Sequence, residues 1–218
     1  MKFVHVLVEG QTEETFVRDV LGPYLNTKGI HLTPSLLVTK RVKDGPNFTG
    51  GITSYQRVKA DLLLLLGDTN AVLVTTMLDY YGLPPDFPRP EALPPGPCFA
   101  RVAGLEAAFQ QDIGHRRFLP YLALHEFEAL LFVDPDAIAK QFPDLDISED
   151  LHAIRRAFIS PEEINEEQPP SRRLRELVAA YQKPFHGPLI TSEIGLADIR
   201  AACQHFAAWL ARLETAGD

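Results

Sequence analysis

Hydrophobic residues in the first 135 positions alternate between short apolar runs and stretches with helical spacing. The β-branched run Lys2–Val8 predicts a strand that ends at Glu9, and apolar runs at 32–42, 71–78 and 117–124 predict three more. Helical spacing over 12–25, 54–66 and 101–113, and again from residue 126, predicts helices between and after them, the first with Thr12 as its N-cap. This βαβαβαβ order predicts an α/β fold with an open, mainly parallel sheet flanked by helices.

The pattern changes after about Pro135 and becomes mainly helical, ending in a helix over residues 196–213. We therefore predict a core at residues 1–135 and a helical extension at 136–218 that packs on it. Phe206, Trp209 and Leu210 share one face of the last helix, and their spacing of three and four predicts core positions.

Charge and composition narrow the classes of function. The formal net charge of -8 argues against a protein that coats nucleic acid through many phosphate contacts, although a carboxylate-rich nuclease remains compatible with it. Solvated helix faces are the simpler interpretation of the basic clusters, which are Lys40, Arg41 and Lys43, and Arg155, Arg156, Arg172, Arg173 and Arg175. Two cysteines without ligand spacing, and a first apolar run too short to span a membrane, predict a cytoplasmic protein without a membrane partner.

Acidic residues follow two of the predicted strands. Glu9 and Asp79 end apolar runs, and Glu13 begins the helix after Glu9. Ligands of open α/β sheets bind beyond the carboxyl ends of the strands, where these side chains would meet. Clustered carboxylates bind hard cations, so the spacing predicts a Mg²⁺ or Mn²⁺ site. Taken singly, Glu13 and Glu14 are also explained by a helix dipole, and Asp79 by the opening of a turn.

Two segments resemble known motifs. VEGQTEE, at residues 8–14, resembles the glutamate motif of Toprim domains, especially that of OLD-type nucleases. TTMLDYYGLP, at residues 75–84, resembles the Toprim DxD strand end, but Tyr81 stands where the second aspartate is expected. The resemblance implies a Toprim/Rossmann-like sheet.

The whole chain resembles an uncharacterised bacterial, Toprim-like family, domain of unknown function 4276. The segments that carry this resemblance are LHEFEALLF, PPSRRL, YQKPFHGP and IGLADIRAACQHFAAWL. DYYGLP looks typical of the family, which implies that Tyr81 is a family feature. Members resemble components of phage-defence gene clusters and are often encoded beside an ATPase.

The resemblance implies roles for individual residues. Glu9 matches the glutamate that acts as general acid or base or as metal ligand, Asp79 matches a metal ligand, and Glu13 matches the second acid of the OLD-type pattern. Lys183 matches a late lysine that stabilises charge on the phosphate, a role that suits a point cation. The alternative for Lys183 is an exposed lysine in a loop.

Three further polar residues leave the fourth predicted strand at the same sheet edge. We expect Glu126 to replace the lost aspartate as a metal ligand, because it directly follows the strand. Glu128, two residues further along a predicted helix, should face elsewhere. His125 is a candidate proton carrier, and a local hydrogen bond is its simpler interpretation.

These observations predict a metal-dependent phosphodiesterase of Toprim type that acts on DNA or RNA in phage defence with a partner ATPase. One alternative is a catalytically weak module that binds nucleic acid, nucleotide or the ATPase, which Tyr81 favours. A small-molecule phosphoryl-transfer enzyme is a third possibility.

Overall fold

The computed structural model describes residues 1–37, 52–91, 96–164 and 167–217. Its centre is a five-stranded sheet in which every strand pairing is parallel, as the sequence predicts. The order is β2-β1-β3-β4, and β5 also pairs with β3. The strands are β1 (Lys2–Val8), β2 (Ile30–Leu36), β3 (Ala71–Asp79), β4 (Phe118–Leu119) and β5 (Leu122–Ala123).

Helices cover both faces of the sheet. They are α1 (Gln11–Phe16), α2 (Gly22–Asn26), α3 (Tyr55–Leu66), α4 (Cys98–Ile113), α5 (Pro135–Lys140), α6 (Ser148–Arg156), α7 (Pro170–Leu177), α8 (Lys183–Ile194), α9 (Leu196–Ala202) and α10 (Gln204–Glu214). The buried faces of α3 and α4 form one hydrophobic cluster with Leu7 and Val74 of the sheet. Val4 and Val6 of β1 belong to a second cluster, shared with α1, α2 and the C-terminal helices. Parallel pairing of β1 with β3 places their carboxyl ends beside each other between these two layers.

The first helical segment differs from the prediction in its cap and regularity. Gly10, not Thr12, is the N-cap residue of α1, and Thr12 is buried inside the first turn. A π-helical turn, Val17–Leu21, joins α1 to α2, so the helical path continues to Asn26. The cap therefore lies two residues earlier than predicted, and Glu13 lies in the first turn of α1.

The fourth predicted strand, residues 117–124, is two short strands. Pro120 lies between β4 and β5 and has no N–H for the ladder. Thr76 replaces the ladder there, because its Oγ1 accepts a hydrogen bond from the Tyr121 N–H at 2.9 Å and donates to the Tyr121 carbonyl at 2.9 Å. The predicted helix that follows is also wrong in type, because residues Phe127–Val133 form a 3₁₀ helix.

The C-terminal region is helical, as predicted, and packs on the sheet. Its final helix is broken at Cys203 into α9 and α10. Phe206, Trp209 and Leu210 are buried, which confirms them as core residues, and the Trp209 indole donates to Thr75 Oγ1 at 2.9 Å. The division into two domains at residue 135 stays a prediction.

Two expectations concern other parts of the chain. The second strand ends at Leu36, and the predicted end at residue 42, like Lys40, Arg41 and Lys43, lies outside the described residues. Among the helices that the structure describes, none combines the length and apolar character needed to cross a membrane.

Candidate carboxylate and lysine site

Glu9 and Asp79 lie at the carboxyl ends of two neighbouring strands. Val8 pairs with Met77 in the parallel ladder between β1 and β3, and the chain then reaches the two acids. Glu9 turns across the strand ends, so that its Oε2 accepts a hydrogen bond from the Asp79 backbone N–H at 3.1 Å. Asp79 Oδ1 accepts another from the Phe127 N–H at 3.0 Å. The expected adjacency of the two strand ends is therefore confirmed.

Glu13 joins these acids from the first turn of α1. It is 2 % exposed, which is unusual for a glutamate and indicates a specific partner. The chain turns sharply at Gly10, where an added Cβ would lie 3.1 Å from Glu13 Oε2. A small residue at this position leaves room for the carboxylate.

The Lys183 ammonium lies among three carboxylates. Its Nζ is 3.2 Å from Glu13 Oε1, 3.4 Å from Asp79 Oδ2 and 3.1 Å from Glu128 Oε2. Lys183 is the first residue of α8, and its side chain keeps 25 % of its exposure, whereas the Glu128 side chain has none. The structure thus brings this lysine to the acids across 104 residues of sequence from Asp79.

Glu128 is the residue that sequence reasoning missed. The expectation that it faces elsewhere on a helix is wrong, because residues 127–133 form a 3₁₀ helix whose first turn directs Glu128 inward. Apart from the Lys183 ammonium, neither of its carboxylate oxygens has a hydrogen-bond partner among the described residues, and the same holds for Glu13 Oε1. An acid inside the otherwise apolar run FEALLF was the available signal, since buried glutamates are rare without a partner. We call Glu9, Glu13, Asp79 and Glu128 the carboxylate cluster.

Glu126 has a different contact from the one expected. Its Oε2 accepts a hydrogen bond from the Ser171 N–H, at 3.0 Å, in the first turn of α7. An acid at a helix N-terminus satisfies a free N–H and favours the dipole. Glu126 still influences the cluster, because its charge contributes to raising the pKa of Glu9. Its role as a metal ligand stays a prediction.

His125 and Tyr81 lie where the two strand ends meet. His125 is buried and has a φ of 62°, the only positive φ among the described non-glycine residues. Its carbonyl accepts a hydrogen bond from the Tyr81 N–H at 3.1 Å, and its ring lies 6.2 Å from that of Tyr80. The Tyr81 side chain is 54 % exposed. The strained backbone at His125 directs the chain into Glu126. A catalytic role of His125 stays a prediction.

The four acids of the carboxylate cluster outnumber the one ammonium, Lys183, that lies among them. Burial raises the pKa of Asp79 well above its usual value, and the charge of Glu9 acts in the same direction. Burial likewise raises the pKa values of Glu9 and Glu128. Burial by itself would lower the pKa of Lys183, but the surrounding carboxylates outweigh it and raise that pKa well above the usual value. The ammonium is therefore charged, and the acids need a further positive charge or protons.

The donor set suits a hard divalent cation. Glu13 and Glu128 direct buried oxygens at a cation, the Lys183 ammonium, and the oxygens of the cluster are carboxylate oxygens, which Mg²⁺ and Mn²⁺ prefer as ligands. Within the described part of the chain, however, no three Asp, Glu, His or Cys side chains are already arranged around a vacant metal position. The Lys183 ammonium is the cation that these carboxylates surround.

Solved structures to which this chain is similar include two from OLD proteins. The C-terminal region of the Burkholderia pseudomallei OLD protein is 15% identical, with a TM-score of 0.44 over 99% of this chain and 100% of that one. The C-terminal region of the Xanthomonas campestris pv. campestris OLD protein is also 15% identical, with a TM-score of 0.42 over 95% and 96% of the two chains. No curated protein matches. The family model "Domain of unknown function (DUF4276)" matches residues 8–214, and the chain therefore belongs to the DUF4276 family.

Proposed function

We propose that this chain is a Mg²⁺- or Mn²⁺-dependent phosphodiesterase of Toprim type that cleaves nucleic acid. The observation that supports this most is the carboxylate cluster at the carboxyl edge of the sheet, with Lys183 among its members. Several buried acids lower the stability of a protein unless a cation compensates their charge. A functional role therefore explains such a cluster better than packing does.

The residues of the cluster have distinct proposed roles. Glu13, Asp79 and Glu128 would hold the cation, with Glu128 replacing the aspartate that Tyr81 displaces. A bound cation would supply activation of water and neutralisation of charge at the phosphate. Glu9 receives only one hydrogen bond from the strand end, through Oε2, so it is our candidate for proton transfer or further coordination. Lys183 provides a positive charge for the negative charge that develops on a phosphate.

A second candidate is a regulatory module that binds nucleic acid, nucleotide or an ATPase without cutting. The observation favouring it is that the exposed Tyr81 follows Asp79 by two residues where a second acid is expected, together with the central position of Lys183. In both cases we propose a partner ATPase and a place in phage defence, on the basis of the sequence resemblance.

Cleavage assays on the full chain test the proposal. Supercoiled plasmid, single-stranded DNA, RNA and free nucleotides are incubated with Mn²⁺, Mg²⁺ or EDTA. We expect metal-dependent cleavage of nucleic acid that Glu9→Gln and Asp79→Asn abolish. Asn at position 79 keeps an oxygen for the Phe127 N–H, so the circular dichroism spectrum should be unchanged. The matched control is Glu149→Gln, because Glu149 is an exposed acid that pairs with Arg156 on the surface.

The results separate the candidates. Cleavage that persists in EDTA, or in both variants, would overturn the metal-dependent mechanism. Binding of nucleic acid without cleavage in either metal would favour the regulatory module. Turnover of nucleotides alone would favour a small-molecule enzyme.

A further inference from the structure

The Lys183 ammonium occupies the position among the carboxylates that a divalent cation would take. The ammonium lies within 3.4 Å of oxygens from Glu13, Asp79 and Glu128, which reach it from α1, β3 and the 3₁₀ helix. The contact to Asp79 has hydrogen-bond geometry, and the contacts to Glu13 and Glu128 are ion pairs. The ammonium is thus held mainly by charge.

The lysine is also the most exposed member of the group. Its side chain is 25 % exposed, against 2 % for Glu13, 11 % for Asp79 and 0 % for Glu128. A lysine stem is long and flexible, and Lys183 starts its helix, with the exposed Pro184 and Phe185 after it. The ammonium can therefore move toward solvent without displacing a buried element, whereas the three acids are fixed in the core.

Charge balance favours such an exchange. With all four acids of the carboxylate cluster ionised, one ammonium leaves an excess of negative charge, and a dication in its place leaves less. An ammonium and a dication would repel strongly at the distances seen here. The two cations therefore exclude each other from the same point.

We propose that Lys183 is a displaceable internal cation, and that a divalent cation enters the carboxylate cluster only when its ammonium has moved out. This inference rests on the proposed function for the identity of the cation. The lysine would then act as a gate on metal loading. After displacement, its ammonium stays beside the site, at the position where a phosphate group would approach.

Mn²⁺ titration calorimetry tests the exchange without any measurement of activity. The protein is the full chain, and the comparison is between wild type and Lys183→Met, which keeps the length of the stem and removes the charge. We expect Lys183→Met to bind Mn²⁺ more tightly by about tenfold or more, because binding no longer includes loss of the ammonium contacts. Lys140→Met is the control, since Lys140 pairs with Glu193 on the surface, and its affinity should equal that of wild type. Equal or weaker binding by Lys183→Met would overturn the proposal.

A second measurement uses only wild-type protein, so it stands even if the variant fails to fold. Crystals are soaked in Mn²⁺ and the metal is located by anomalous scattering. We expect an anomalous peak among Glu13, Asp79 and Glu128, with Lys183 Nζ no longer in contact with them. A metal elsewhere, or a metal among these acids with the lysine contacts intact, would refute the exchange.

These results are distinguishable from failure of the proposed function. Displacement of Lys183 by Mn²⁺ in a protein that cleaves nothing would support the exchange and contradict the phosphodiesterase. Metal-dependent cleavage with equal Mn²⁺ affinity in wild type and Lys183→Met would support the phosphodiesterase and contradict the exchange.

Discussion

Replacement of Lys183 by methionine should destabilise the metal-free protein, and the loss should depend on pH. Met has nearly the same length and no charge, so the change removes the cation and keeps the packing of the stem. It leaves Glu13, Asp79 and Glu128 buried beside one another without the ammonium that lies 3.1–3.4 Å from each in wild type.

The size of the effect follows from these distances. Each contact corresponds to roughly 5 kcal/mol of attraction at an effective dielectric constant of about 20. Most of this is offset by the cost of removing an ammonium from water, and loss of one partner of a buried ion pair typically costs about 3–5 kcal/mol. Because Lys183 keeps 25 % of its exposure, solvent screens part of the interaction, and we expect a loss of roughly 2–4 kcal/mol at pH 8.

The sign of the pH dependence follows from the raised pKa values of the acids. Glu9, Asp79 and Glu128 have folded-state pKa values above their usual 3.8–4.5, so protons bind more tightly to the folded protein than to the unfolded chain. The stability that this proton binding contributes is fully present when the pH is below the unfolded-state pKa values. It is lost as the pH rises through the raised folded-state pKa values. Without Lys183 the raised values rise further, so the difference between the variant and wild type should shrink from pH 8 toward pH 5.

Urea unfolding in EDTA, followed by the fluorescence of the single tryptophan, the buried Trp209, measures this difference. Lys140→Met is the matched control, with an expected change below about 0.5 kcal/mol because its ion pair with Glu193 is exposed. Saturating Mn²⁺ should restore much of the stability of Lys183→Met. The reasoning is refuted if Lys183→Met has the wild-type free energy of unfolding at pH 8, or if its deficit grows as pH falls.

Three further predictions concern other parts of the site. Glu128→Gln should weaken Mn²⁺ binding by about tenfold, and Glu126→Gln should weaken it less, because Glu128 lies in the cluster whereas Glu126 binds the start of α7. Titration calorimetry measures both affinities, and the reverse order would make Glu126 the metal ligand. Gly187→Ala should lower the free energy of unfolding in urea by roughly 1–3 kcal/mol, because a Cβ there would lie 2.9 Å from Thr12 Cγ2 and force α8 away from α1. Wild-type stability of this variant would show that the two helices adjust freely. His125→Gly should be more stable than His125→Ala by about 1 kcal/mol, because glycine adopts a φ of 62° without strain; an alanine variant of equal stability would show that the turn is relaxed.

The sequence by itself determined the elements whose signal is local. The apolar run at the start of the chain defines β1, and the run that ends at Asp79 defines β3, because strands covered on both faces contain few polar residues. The turn residues after each strand place acids at the carboxyl ends, and parallel pairing makes those ends meet. Glu9, Glu13 and Asp79 were accordingly predictable as a group.

Only the tertiary structure decided which other residues join that group. The backbone of residues 126–133 follows from the positive φ of His125 and the contact of the Phe127 N–H with Asp79, and a 3₁₀ helix then directs Glu128 inward. Local periodicity cannot distinguish this path from an α-helix, since both follow the same apolar run.

The position of Lys183 depends on packing between distant segments. It reaches the acids because α8 lies close against α1, where Gly187 leaves room for Thr12. Local periodicity near residue 183 does not encode that approach, and only the family resemblance singled out Lys183. The sequence determined the acids, and long-range packing of α8 determined which cation they hold, because the energy of an ion pair depends on distances that only the folded chain sets.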